Sequence, residues 1–390
     1  MTSIPAESNG LWRDRQGSKV CFNPWTHFEV NSTNGDVTMC CDVPTVLGNV
    51  NDQSILEIWK GPGYQRARQR MFELGGEKMC WADCPLLTGS KDYQSFAWYR
   101  DLDQHTKCYE NALLNEQEMR EGKTVLASFP RWMRFAISYR CNFKCYHCYQ
   151  EDERGMDRRL PDRFIEEVRT LAQYYQFIFL FGGEPTLFPE FPALLRCGSQ
   201  YPHIRFCMVS NGSLLHLHRT AVAEVNWAMV SVSLDAAREE TFRLLRRSKK
   251  WGVIMENLRM LAELRKHKGF SFTLGMTLNS KNSDQIYEFV VLASGLGAVP
   301  DIGLVSNPDQ SVRFNRQYLH FSQGQKDEIL GQIAQVERDF PVLFPKSGLG
   351  PLRRWFASYR PAAQVARTSL LAAKRILPPT AIQLLRRLKP

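Results

Sequence analysis

A chain of 390 residues, 44% of them apolar and 23% charged, has the composition of a soluble globular protein with room for two or three cored domains. No run of about 18 apolar residues occurs, which excludes a helical membrane span, and the opening MTSIPAESNGLWRDRQG lacks the basic-then-apolar layout of a secretory signal. The net charge of +10 sits entirely in the tail, because Lys346–Pro390 carries ten Lys and Arg and no acid, leaving 40 basic against 40 acidic residues before it; a nucleic-acid enzyme more often carries its basic stripe on the folded core.

These features predict a cytoplasmic protein, where thiols stay reduced. Eleven cysteines in that setting point to metal binding or catalysis before disulfides. Residues 1–128 read as an irregular, cysteine-rich unit. It holds a turn at NSTNGD, then MCCD, then helical stretches near Ser54–Lys60 and Tyr64–Leu74, the second stopped by Gly75–Gly76. Cys21, Cys40, Cys80 and Cys84 form two separated pairs with a Gly-bearing hairpin between the first two, the layout of a four-thiolate site. Cys41 is an alternative to Cys40, and Cys108 a spare.

After Pro130 strands alternate with helices. Expected strands are Arg134–Ser138, Ile178–Phe181, Arg205–Val209, Met229–Leu234, Ser271–Leu278 and Ile302–Val305. Helical patterns fall near Asp162–Tyr175, Glu190–Tyr201, Leu214–Val225, Glu239–Leu245, Ile254–His267 and Asp284–Gly295. Six β/α units with apolar, β-branched strands predict a parallel sheet covered by helices, as an open barrel or a doubly wound sheet. Chemistry in such folds gathers at the C-terminal ends of strands. Four motifs fall there: CNFKCYHC, GGEP, SNG and SLD.

Cys141, Cys145 and Cys148 follow the first of these strands at C-x3-C-x2-C spacing. Thiolates are soft ligands suited to zinc or iron–sulfur clusters. A structural zinc site closes with four ligands, and His147 is poorly placed as the fourth because its neighbour Cys148 is already one. Three cysteines on a [4Fe–4S] cluster leave one iron open, and open coordination marks catalysis. A zinc knuckle or buried free thiols is the other reading of the spacing. In FLFGGEPTLFP, Gly182 and Gly183 permit a sharp turn, Glu184 adds a carboxylate and Pro185 fixes the bend. Cys197, in a helix pattern, and Cys207, in a strand, read as buried small apolar residues.

With C-x3-C-x2-C after one strand and Gly-Gly-Glu-Pro after the next, the segment Trp132–Val305 resembles the radical S-adenosylmethionine (SAM) superfamily. The resemblance implies a partial (β/α)6 barrel over 129–310. Cys141, Cys145 and Cys148 would hold a [4Fe–4S] cluster whose open iron chelates SAM. It places His147 near the adenine and Gly182–Pro185 as a clamp on the methionine amino group. Ser210, Asn211, Ser233 and Asp235 fall at strand ends that meet SAM or substrate, though Asn-Gly is also a common turn and Ser-x-Asp a common cap. The implied reaction is one-electron cleavage of SAM to methionine and a 5′-deoxyadenosyl radical, which takes a hydrogen atom from the substrate. A reductase or flavodoxin-type donor supplies the electron. No general acid or base follows from the sequence; Asp235 and Glu184 are the candidates.

The amino-terminal segment resembles SPASM or "twitch" domains, with the Pro-Trp after the first cysteine, the CC pair and GNVNDQSILEIW. That likeness implies an auxiliary [4Fe–4S] cluster on Cys21, Cys40, Cys80 and Cys84. Two departures stand against it: the unit precedes the barrel where it usually follows, and Cys80–Cys84 is C-x3-C where C-x2-C is commoner. Zinc remains the alternative metal. Residues 311–390 read as a helical extension with a basic tail in which Ala366, Leu370, Ala373 and Leu377 share a helical face flanked by Arg367 and Lys374. Such a tail suits an anionic membrane surface or stays solvated.

The substrate implied is a peptide or protein side chain. A carbohydrate or lipid-linked cell-envelope precursor is the alternative, and a zinc scaffold with a basic partner-binding tail is the alternative of another class.

Overall fold

The computed structural model describes residues 11–13, 19–40, 45–80, 84, 99–148, 150, 158–305 and 319–361. Cys41 and residues 362–390, which include the expected basic helix of the tail, lie outside them. The described chain divides into two compact units.

The first unit takes in the described parts of Met1–Lys144, Gln150–Ser233 and Gly252–Phe272. Two short strands open it, β1 (Leu11–Arg13) and β2 (Lys19–Cys21), paired antiparallel. A helical turn at Asn23–Thr26 leads to β3 (His27–Val30), which runs antiparallel to β4 (Asp36–Thr38). Gly35, at φ +83°, makes the tight reversal between them, a conformation costly to any residue with a Cβ. β5 (Gly48–Asn49) completes the meander. Ser54 then starts a helix over Ile55–Lys60 with a capping box, its hydroxyl accepting from Glu57 N while Glu57 bonds back to Ser54 N. The following helix, Pro62–Leu74, stops at Gly75 at φ +73°.

The core strands are β6 (Trp132–Ala136), β7 (Phe177–Phe181), β8 (Arg205–Ser210) and β9 (Asn226–Ser233), all parallel neighbours in that order. β3 pairs parallel with β6, His27 opposite Trp132, so the cysteine-rich segment extends the same sheet. Apolar residues on one sheet face, among them Met133, Phe135, Ile178, Leu180, Phe206 and Met208, are buried. Phe135 meets Phe164 of the helix Asp162–Thr170 edge to face at 5.4 Å. Trp132, Arg134, Phe179 and Phe181 alternate with them and are half-buried, leaving the opposite face more open.

The second unit takes in the described parts of Cys145–Tyr149, Leu234–Trp251 and Thr273–Pro390. From Thr273 on, β10 (Ser271–Leu278) belongs to it and pairs in parallel with β11 (Val299–Leu304), Met276 opposite Ile302. Ile286–Gly295 crosses over between them, and helices Gln323–Asp339 and Leu349–Ser358 follow. Leu349, Leu352 and Phe356 are buried and Lys326 Nζ donates to Tyr359 O, so the chain is packed well beyond Lys346, where the basic segment begins. The architecture is mixed α/β on parallel strands, of the partial-barrel kind. No described helix is long and apolar enough to cross a membrane.

Candidate functional site

Within the first unit, GGEP follows β7 as a turn pressed against the backbone leading to the first motif cysteine. Gly183 N donates to Ser138 O at 3.1 Å and Glu184 N to Arg140 O at 2.9 Å. A Cβ on Gly183 would lie 2.0 Å from Arg140 O, so only glycine allows this approach. Gly182 sits at φ +128° with Ser138 O 2.7 Å from where its Cβ would be. Pro185 opens a short 3-10 turn, Pro185–Leu187, that Glu184 caps by accepting from Thr186 N.

Glu184 is fully buried and its oxygens are engaged. Oε1 accepts from Ser210 Oγ at 2.7 Å and from Thr186 Oγ1 at 2.5 Å, and Oε2 accepts from Asn211 N at 2.7 Å. Burial pushes this carboxyl above the ordinary range, opposed by the same hydrogen bonds. Ser210 and Asn211 end β8 and join the turn to the cysteine loop. Asn211 Nδ2 donates to Asn142 Oδ1 at 2.8 Å and to Cys141 Sγ at 3.7 Å, and Phe143 N donates to the same sulfur at 3.4 Å. Four sequence motif positions, Cys141, Glu184, Ser210 and Asn211, thus share one hydrogen-bonded assembly.

Cys145, His147 and Cys148 belong to the second unit, with Asp235. Asp235 is completely buried at φ +63°, an uncommon conformation for a residue with a Cβ. Its Oδ1 accepts from Thr277 N at 2.8 Å; its Oδ2 lies 3.0 Å from His147 Nε2 and 2.8 Å from Arg246 Nε. Burial opposes ionisation, yet the Arg246 and His147 side chains hold the carboxyl well below the ordinary range. Arg246 Nη1 also donates to Cys145 Sγ at 3.5 Å. Nothing in the sequence pattern distinguished Arg246 from the other basic residues of RLLRRSKK; its burial is the signal, and only the fold supplies it. Ser233 is the last residue of β9 and is half-buried. The two acid/base candidates, Glu184 and Asp235, are both buried and engaged with protein donors.

In the amino-terminal segment Cys21 ends β2, Cys80 caps the short helix Gly76–Met79, and Cys84 is buried. Burial, with the Cys80 and Cys84 thiols and Glu29 pushing the same way, raises the Cys21 thiol to about 12 against a hydrogen bond from the Asn23 backbone. Cys40 follows β4. Cys108, Cys197 and Cys207 are buried, Cys108 with its Sγ donating to Tyr175 O. Among the described residues no three His, Cys, Asp or Glu side chains are drawn together in metal-ligating geometry.

Residues 135–291 match the family described as the radical SAM superfamily, and residues 21–85 match an iron–sulfur cluster-binding domain, SPASM. A probable GTP 3′,8-cyclase of Saccharolobus islandicus is 26% identical over 176 residues, 44% of this chain and 56% of that protein. The GTP 3′,8-cyclase of Chlorobaculum tepidum is 30% identical over 182 residues, covering 44% and 51%. The chain thus spans about half the length of these curated relatives. Among solved structures, SuiB of Streptococcus suis bound to S-adenosylmethionine aligns with a TM-score of 0.41 at 14% identity, covering 73% of this chain and 63% of that one. TYW1 with a lysine–pyruvate adduct aligns at 0.36 and 19%, covering 52% and 71%.

Proposed function

The chain belongs to the radical SAM superfamily and carries a SPASM iron–sulfur domain, and from that premise we propose that it acts on a peptide or protein side chain, by abstraction of a hydrogen atom. The enzyme uses a [4Fe–4S] cluster with SAM and an auxiliary iron–sulfur cluster. Together the first cluster and SAM supply one-electron cleavage to methionine and a 5′-deoxyadenosyl radical.

The residues fit that group. Cys141 and Cys145 sulfurs already accept hydrogen bonds, from Asn211 Nδ2 and Phe143 N in one case and Arg246 in the other, as cluster-bound thiolates do. Cys141, Cys145 and Cys148 would hold it, and the Gly182–Pro185 turn would orient SAM. Glu184 holds that turn, Ser210 and Asn211 in register with the cysteine loop, so its role is positioning. Cys21, Cys80 and Cys84, with Cys40, would hold the auxiliary cluster; metal binding to Cys21 must displace a proton that burial makes hard to lose.

The observation that carries the reading is the bonded assembly of Cys141, Glu184, Ser210 and Asn211, which ties three strand-end motifs into one site. Support for a peptide comes from the match of residues 21–85 to a SPASM iron–sulfur domain, the resemblance that implied a peptide or protein substrate. The nucleotide named for the GTP 3′,8-cyclases is the competing substrate, although those matches extend over 44% of the chain. Formation of 5′-deoxyadenosine by reduced enzyme decides between them. Short peptides encoded beside the gene should stimulate it and emerge with altered mass. Stimulation by GTP or by a lipid-linked sugar, with peptides inert, would contradict the proposal. A cytoplasmic site of action and an external flavodoxin-type electron donor belong to the same reading.

A further inference from the structure

Arg246 has a side chain only 10% exposed, yet it carries a fixed charge. Burying a guanidinium is costly unless it is paired and bonded. Here Asp235 supplies the pair at 2.8 Å, while Nη1 reaches the sulfur of Cys145 at 3.5 Å. A ligating thiolate gains more from a charged donor beside it than a neutral buried thiol does.

The surrounding backbone is shaped to keep this contact. Arg246 closes the helix Glu239–Arg246, and Tyr146 N donates to Leu245 O at 2.7 Å, fastening the cysteine loop to that helix end. Arg247, next in the chain, turns into the left-handed region at φ +49° and lies 5.7 Å above the Tyr146 ring. Asp235 and Arg247 are the two non-glycine residues at positive φ among the described residues, and they bracket this helix. Non-glycine residues persist in that conformation only where the surroundings over-determine it. Asp235 is fixed by Thr277 N, by His147 and by Arg246.

We propose that Arg246, held by Asp235, is a positioning residue for the SAM-binding cluster and raises its reduction potential. The inference rests on the cluster assigned above. A cation donating to a ligand sulfur favours the form carrying one more negative charge, and hydrogen bonds to cluster sulfurs are a known lever on potential. The step concerned is uptake of one electron from a low-potential one-electron donor, with no proton moved and no bond made or broken. Asp235 prevents the guanidinium from swinging away, and its contact with His147 fixes the loop between Cys145 and Cys148.

The test is a redox titration of anaerobically reconstituted full-length protein, following the electron-paramagnetic-resonance signal that changes on adding SAM. At the wild-type midpoint, Arg246→Gln should show a reduced-to-oxidised ratio about tenfold lower, a shift of ~59 mV for a one-electron couple. Arg246→Lys, which keeps charge without the fork, should fall between. An unchanged midpoint in Arg246→Gln with full iron content overturns the proposal. Should that variant fail to fold, wild-type protein labelled with 15N-arginine decides. A weak 15N coupling to the reduced cluster, lost in Arg246→Lys, supports the contact, and no coupling in the wild type overturns it. Wild-type protein that takes up no iron and sulfide would instead remove the cluster itself, and this inference with it.

Discussion

Glu184 is a fully buried carboxylate. All four of its close partners are donors: Thr186 N, Thr186 Oγ1, Ser210 Oγ and Asn211 N. Glu184→Gln would turn an amide NH2 toward some of them, leaving buried donors unmatched. The expected cost is about 1–3 kcal/mol in chemical denaturation, with SAM binding weakened in parallel. His27 gives a pH prediction at the same scale. Burial, with the Arg134 and Arg131 charges, lowers its pKa from 6.5 to about 3. The folded state therefore resists protonation that the unfolded chain accepts, so this contribution is complete above about pH 6.5 and lost as the pH falls below it. Stability should drop by about 1.4 kcal/mol between pH 7.5 and 5.5 from this residue alone. His27→Gln should flatten that part of the profile, read from urea midpoints at the two pH values. An equal slope in the variant would show that another group titrates.

Among elements, the turn after β7 is the least forgiving. Any Cβ at Gly183 meets the backbone oxygens of Arg140 and Tyr139 at 2.0 and 2.5 Å, and a main-chain atom cannot swing aside like a side chain. Gly183→Ala should cost about 1–3 kcal/mol and impair SAM binding in calorimetric titration, whereas Ser54→Ala at the capping box should cost about 1 kcal/mol and leave SAM binding intact. The six strands expected after Pro130 were legible because each is an apolar run ended by a turn signal, and each lies within about three residues of its expected place. For β3 only the hairpin at NSTNGD was legible; that HFEV, four residues long, pairs with Trp132–Phe135 a hundred residues later was not. Local pattern carries no trace of such a partner. The same limit hid Arg246, whose importance depends on burial and on Asp235, while the cysteines announced themselves by spacing.

The whole molecule joins a segment that matches the radical SAM superfamily to one that matches an iron–sulfur cluster-binding SPASM domain. Cys80→Ala should leave SAM cleavage intact, stop substrate turnover and remove about half of the bound iron, as expected if one of two four-iron clusters is lost. Undiminished turnover would take the auxiliary cluster out of the reaction. If the basic tail meets an anionic membrane, truncation after Pro361, beyond the packed helix Leu349–Ser358, should abolish co-sedimentation with phosphatidylglycerol vesicles; cutting at Lys346 would remove that helix too. Equal sedimentation of both forms would exclude the tail as the anchor. The central claim, that Cys141, Cys145 and Cys148 bind a cluster open to SAM, is tested most directly by Mössbauer spectroscopy of 57Fe-reconstituted protein with and without SAM. The account predicts that SAM changes the spectrum of one iron site and that Cys145→Ala removes that change. A colourless, zinc-containing protein, or iron signals indifferent to SAM, would contradict it.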